Sequence, residues 1–245
     1  MSRVQLRFYE ELNDFLAPAL RKVDIAHTFD RRASVKDMIE SFGVPHTEVD
    51  IILVNGQSMD FSYIVQDGDR ISVYPVFESL DVSPLLRLRP APLRSPAFVL
   101  DTNLGRLARY LRLLGFDCLY QNDYDDDTVA TIADRKQRTV LTRDRALLQR
   151  RIITRGYFVR EVRPRLQVKE VLARFDLYRL IAPFSRCIRC NGALQAVDKQ
   201  IIEERLEPKT RKYFESFMRC SDCGQIYWQG SHHARSMRLI EELTT

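Results

Sequence analysis

The chain has 245 residues, 45% hydrophobic and 29% charged, the composition of a soluble globular protein with room for more than one core. No apolar run approaches the ~20 residues of a membrane span, and the N-terminus MSRVQLRFYEEL lacks the charged-then-apolar pattern of a signal peptide. A cytoplasmic protein is therefore expected. The net charge is only +5 but unevenly placed: residues 135–189 are dense in arginine and lysine while the N-terminal part is nearly balanced, which points to an anionic polymer as partner.

At the N-terminus, Val4-Gln5-Leu6-Arg7-Phe8 alternates apolar and polar, as a half-buried strand does, and Ile25 to Phe29 is its expected partner. Ser34 is placed to cap a helix from Val35 to Phe42 that Gly43 ends. Ile51 to Val54 reads as a buried strand, Asn55-Gly56 as a hairpin turn, and Arg70 to Pro75 as a closing strand after the Asp67-Gly68-Asp69 turn. His27 and His46 read as structural or surface residues rather than ligands. This order, with the phrases VNG and DGDRISVYP, resembles the ubiquitin-like β-grasp proteins that act as sulfur carriers. Carriers end in an activated Gly-Gly; here Val76 to Leu80 contains none and the chain continues. Residues 1–79 are thus expected to form a binding or scaffolding module of α+β type, with a protein or the ribosome among its candidate partners. Residues 80–96, with Pro84, Pro90, Pro92 and Pro96, read as an extended, semi-rigid linker.

The central stretch carries the chemistry. Phe98-Val99-Leu100 reads as a buried strand, and Leu104, Leu107, Ala108, Leu111 and Leu114 recur at helical spacing up to a stop at Gly115. Gly115 to Tyr120 and Thr139 to Thr142 read as further strands, with a short helix starting near Asp127. Such alternation favours a parallel sheet with helices on its faces. In these sheets the functional crevice lies beyond the carboxyl ends of the strands. Asp101 closes the first strand, Asp144 closes the third, and the run Asp123 to Asp127 follows the second. Converging carboxylates repel unless a cation sits among them, and a hard oxygen-preferring ion, magnesium or manganese, explains the set economically. The competing reading is that Asp101 and Asp144 are ordinary helix N-caps. Arg106, Arg109 and Arg112 cover an arc of roughly 120° opposite the leucines, as a solvated face or as a grip on phosphates.

Downstream, Gly156 to Val159 reads as a short strand and Val168 to Phe175 as a helix, in a region crowded with basic residues interleaved with Tyr157, Phe158 and Tyr178. Of the five cysteines, Cys187, Cys190, Cys220 and Cys223 form two C-x-x-C pairs. Two such turns complete a closed tetrahedral zinc site with no open position, hence a structural one. A redox dithiol fits less well, because neither pair opens a long helix. Cys118 reads as a buried apolar residue in its strand. His232 and His233, after Tyr227-Trp228, read as part of a nucleic-acid surface.

Together D-x-N-L-G-R-L-A-R-Y-L-R-L-L-G-F-D from Asp101, the acidic cluster, L-T-R-D-R-x-L, R-C-I-R-C-N and C-x-x-C-G-x-I-Y-W-x-G-S-H resemble the Mut-seven C-terminal ribonuclease domain, a PIN-like nuclease with an appended zinc ribbon that follows a ubiquitin-like domain in some members. The resemblance implies an α/β PIN-like domain at 97–183 and a zinc ribbon and tail at 184–245. It implies a metal-dependent ribonuclease acting on RNA, structured RNA such as tRNA included, with structural zinc and catalytic magnesium or manganese. Asp101 would be the first acid of the site, Asp144 the last, and Asp126 or Asp127 the intermediate one; Arg106, Arg109, Arg112 and Arg143 would contact the RNA. An RNA-binding or adaptor protein with a vestigial PIN-like site is the alternative.

Overall fold

A computed structural model describes residues 1–75, 88 and 96–244, with His232 described by its backbone alone. The expected linker at 80–96 lies outside the described residues except for Leu88 and Pro96. The chain forms two compact units, one of Met1–Ser95 with Asp126–Phe158 and one of Pro96–Asp125 with Val159–Thr245.

The first unit opens with β1 (Ser2–Phe8), β2 (Ile25–Phe29), α1 (Val35–Ser41), β3 (Val49–Val54), β4 (Gln57–Met59) and β5 (Arg70–Pro75). Among the described residues these strands make a mixed five-stranded sheet of order β2-β1-β5-β3-β4. Its central pair is parallel, with Leu6 opposite Ile71, and the other pairs are antiparallel. The alternation of β1 buries Val4, Leu6 and Phe8 in one cluster with Val35, Met38 and Ile39 of α1. Ser34 begins that helix by accepting a hydrogen bond from the Asp37 amide at 3.1 Å. The β3–β4 hairpin turns on Asn55 and Gly56, at φ 52° and 83°, the left-handed pair that a tight primed turn requires. The ubiquitin-like expectation for this region holds.

The elements β6 (Ala97–Leu100), α2 (Gly105–Leu113), β7 (Asp117–Leu119), α3 (Asp126–Arg135), β8 (Thr139–Thr142), α4 (Arg145–Leu148), β9 (Gly156–Phe158) and α5 (Pro164–Arg174) follow. β6 to β9 form a four-stranded parallel sheet, as the strand–helix alternation implied. In the second unit β6 pairs with β7, Phe98 opposite Cys118, across the α2 crossover. In the first unit β8 pairs with β9, Leu141 opposite Tyr157. All four residues of β8 are buried, as a strand covered on both faces must be.

The first unit joins β8, α4 and β9 to the β-grasp sheet through named contacts. His46, in the 3₁₀ turn His46–Glu48, is buried and presents Nε2 to the Ile153 carbonyl at 2.9 Å, with Nδ1 against Glu40 at 2.7 Å. The buried Glu48 carboxylate accepts the Phe158 amide, and Phe15 meets the Phe158 ring edge-on at 5.5 Å.

In the second unit β10 (Leu194–Val197), α6 (Lys199–Ile202), α7 (Pro208–Tyr213), β11 (Phe217–Cys220), β12 (Ile226–Trp228) and α8 (Ser231–Thr244) complete the chain. β10, β11 and β12 form an antiparallel three-stranded ribbon over a small cluster of Ile202, Leu206, Phe217 and Ile226.

Candidate active site and metal centre

The two C-x-x-C turns meet. The four cysteine sulfurs all lie within 4.8 Å of one another, with Cys190 Sγ 3.4 Å from Cys220 Sγ and Cys187 Sγ 3.7 Å from Cys223 Sγ. A tetrahedral zinc with Zn–S near 2.3 Å needs S···S separations of about 3.8 Å, so the donor set fits that ion by size and by softness. Gly192 makes the approach possible: a Cβ there would lie 2.7 Å from Cys220 Sγ and from the Asp222 carboxylate. Without a cation the thiols are pushed apart in acidity. Burial raises Cys190 to about 12, helped by its neighbouring thiols. Burial also pushes Cys187 up, but the Tyr227 hydroxyl at 3.0 Å and the local backbone amides outweigh it and bring Cys187 down to about 7. Among the described residues the sulfurs of these four cysteines are the ligand atoms found gathered this closely.

The first knuckle is sewn to β7 by a polar network. Asn191 Oδ1 accepts the Cys118 amide at 2.8 Å, its Nδ2 donates to Asp117 Oδ1 at 2.7 Å, and Arg186 pairs with Asp117 Oδ2 at 3.3 Å. Cys118 is fully buried, as its apolar neighbours suggested.

Arg112 corrects the sequence reading. It is only 4% exposed, and its guanidinium donates to the carbonyls of Cys118 at 2.8 Å, Arg189 at 3.0 Å and Tyr120 at 3.2 Å. It is a buried clamp between α2, β7 and the first cysteine knuckle, and is not open to RNA. On a helical wheel Arg112 lies about 40° from Ala108, at the border of the apolar face, and so turns inward. Burial lowers its pKa, against the raising effect of the surrounding cysteines. Arg106 and Arg109 are exposed and line a cavity of about 490 Å³ with Asn103, Gly105 and Tyr120.

The carboxylates divide between the units. In the second, Asp101 follows β6 and is 6% exposed; its carbonyl accepts the Leu104 amide, and Thr102 Oγ1 donates to its Oδ1 at 3.1 Å. Its side chain makes no cap bond to the 3₁₀ turn Thr102–Leu104 that it precedes. In the first, Asp144 follows β8, is exposed, and caps α4 by accepting the Ala146 amide at 2.8 Å, while its own amide donates to Thr142 Oγ1. Arg143 sits half-buried beside it. Asp126 and Asp127 open α3, exposed; Asp127 pairs with Arg150 at 2.6 Å. The capping interpretation thus describes Asp144's side chain and does not describe Asp101's.

His233 stacks on Phe184, ring centroids 4.4 Å apart, while the side chain of His232 lies outside the described residues. That stack joins residues 49 positions apart, and no local signal pointed to it.

A parallel α/β sheet preceded by a ubiquitin-like sheet and followed by a ribbon whose four cysteines could bind a metal such as zinc defines the class of chain. The Mut7-C RNAse domain matches residues 96–240 and the Mut7-C ubiquitin domain residues 1–81, and the chain belongs to the Mut7-C RNAse domain family. No curated protein and no solved structure matches it.

Proposed function

We propose that the chain is a metal-dependent ribonuclease hydrolysing RNA phosphodiester bonds in the cytoplasm. Family membership supports the reaction class. The observation that carries the site assignment is Asp101: a buried carboxylate at the carboxyl end of a parallel strand whose side chain does not cap the turn after it. Asp101, Asp144 and one of Asp126 and Asp127 would hold magnesium or manganese, an all-oxygen donor set of the kind those ions take. The bound ion supplies a water of lowered pKa and neutralises charge on the scissile phosphate. Arg106 and Arg109, exposed and without an ion pair among the described residues, bind the RNA backbone and fix its register; Arg143 does so from the Asp144 turn. The cysteine-bound zinc, with four protein ligands, holds the fold and takes no part in hydrolysis.

Asp144 capping α4 and Asp127 pairing with Arg150 favour a second reading, an RNA-binding or adaptor protein whose nuclease site is vestigial. Labelled RNAs, tRNA included, incubated with manganese and with no added divalent ion decide between them. Cleavage that requires the ion and drops by orders of magnitude in Asp101→Asn and Asp144→Asn, at unchanged melting temperature, is the expected result. Equal cleavage by both Asn variants would remove these residues from the site.

A further inference from the structure

The second unit contains an open cavity of about 1150 Å³ beside the zinc ribbon. It exceeds the roughly 300–1,000 Å³ of a small-molecule pocket; its walls are largely apolar, and among them Phe184, Trp228 and His233 supply flat rings and Arg109 and Arg235 supply positive charge. Phe184 has φ +60°, a left-handed conformation that a bulky residue holds only where its surroundings fix it. Here its amide donates to the Leu113 carbonyl at 3.3 Å and its ring lies against His233 at an interplanar angle of 25°. The strain places a flat aromatic pair in the wall of the groove.

Charge selects the occupant. Arg109, Arg186, Lys199 and Arg235 stand against Asp198 and Glu215, four cations against two carboxylates. Lys199 is neutralised by Glu215 at 2.6 Å and Arg186 by Asp117, which leaves Arg109 and Arg235 without an ion pair among the described residues. Arg109 also lines the smaller cavity with Asn103 and Arg106, so one residue borders both cavities.

We infer that this groove is a binding site for unpaired RNA nucleotides, whose phosphates lie along Arg106 and Arg109 and whose bases stack on Phe184, His233 and Trp228. The inference rests on RNA being the substrate, and not on Asp101 being catalytic. Single strands fit because ring stacking needs exposed base faces, which a duplex covers. Cations spaced along the path then hold the phosphates whatever the sequence.

Trp228 is the only tryptophan of the chain and reports directly on the groove. The full-length zinc-loaded protein is titrated in buffer without added divalent ion with unstructured oligoadenylate and, separately, with a blunt RNA duplex. Saturable quenching of Trp228 by the single strand, at an affinity at least tenfold tighter than for the duplex, is expected. His233→Ala and Phe184→Asn, the latter keeping a residue that tolerates the left-handed backbone, should each weaken binding about tenfold, the scale of losing one stacked base. Zinc content and circular dichroism confirm that each is folded, and His233→Ala, on a partly exposed helix position, serves alone if Phe184→Asn is not. Quenching by wild type without divalent ion, together with no cleavage of the labelled RNAs once manganese is added, would sustain the groove while ending the ribonuclease reading. RNA that binds by anisotropy without changing Trp228 emission, equal quenching by duplex, no RNA binding, or His233→Ala at wild-type affinity each overturns the groove.

Discussion

Two appended modules grip two strands of the parallel sheet, and they do it differently. β7 and β9 each have a backbone N–H satisfied by a side chain from outside the sheet: Cys118 donates to Asn191 of the zinc knuckle and Phe158 to Glu48 of the ubiquitin-like region. Covering a strand in this way protects it from pairing with another chain. At β7 the grip is a dense network of Asn191, Asp117, Arg186 and the buried Arg112. At β9 it includes His46, Glu48 and Phe15, with the exposed Arg145 nearby donating to the Phe15 carbonyl at 3.2 Å. The modules' own cores also differ in size. Among the described residues the ribbon's cluster buries Ile202, Leu206, Phe217 and Ile226, with Val197, Phe214 and Trp228 packed against it. The β-grasp sheet has a larger core of its own, against which Phe158 packs.

The comparison breaks first if zinc is dispensable. Cys220→Ser should lose the metal, whose binding in such modules is worth on the order of 10 kcal/mol, and should unfold the ribbon. Because Asn191 and Arg112 tie the knuckle to β7, amide protection at Cys118 should fall too, while that at Phe158 stays. Hydrogen exchange and elemental analysis read both outcomes; a protected Cys118 amide in the zinc-free variant would show the two to be uncoupled. Next in size, Arg112→Met should destabilise by about 3 kcal/mol, since it fills the space but leaves buried carbonyls unpaired. Urea midpoints measure it, and RNA affinity should change far less than in Arg109→Ala.

Arg112 also marks where the sequence stops being legible. The strands at 97–100 and 139–142, the Asn-Gly hairpin, the Ser34 cap and the paired cysteines were readable because each is encoded by neighbours or by a fixed spacing. Arg112 looked like the third member of an exposed arginine stripe, since periodicity fixes its angle and not what lies 77 positions away at Arg189. The same limit hid the placement of Asp126–Phe158 in one unit with the β-grasp sheet, which rests on His46 reaching Ile153 across 107 positions. Asp101 and Asp144 look equivalent as residues ending strands, yet one is buried and does not cap while the other is exposed and does. Burial is a property of the assembled fold, and spacing alone carried no trace of it.

The smallest effect is expected at Arg145, and it tests the comparison most closely because the chemistry is that of Arg112 in a different setting. Its guanidinium donates to the carbonyls of Phe15 at 3.2 Å and Asp14 at 3.4 Å and lies 5.1 Å from the Phe15 ring centroid and 5.6 Å from that of Phe158. Arg145 is exposed, however, so water replaces those hydrogen bonds when the side chain is removed, and an exposed cation–π contact is worth about 0.5–1 kcal/mol. Arg145→Ala should therefore cost about 1 kcal/mol in the first unit, and Arg145→Lys, which keeps the charge but loses the planar fork, only part of that. Alanine favours the helix that begins here, which trims the loss further. Chemical denaturation of both variants beside Arg112→Met gives the answer. If Arg145→Ala proved as costly as Arg112→Met, the burial that distinguishes the two guanidinium groups would not be what sets the cost of losing them.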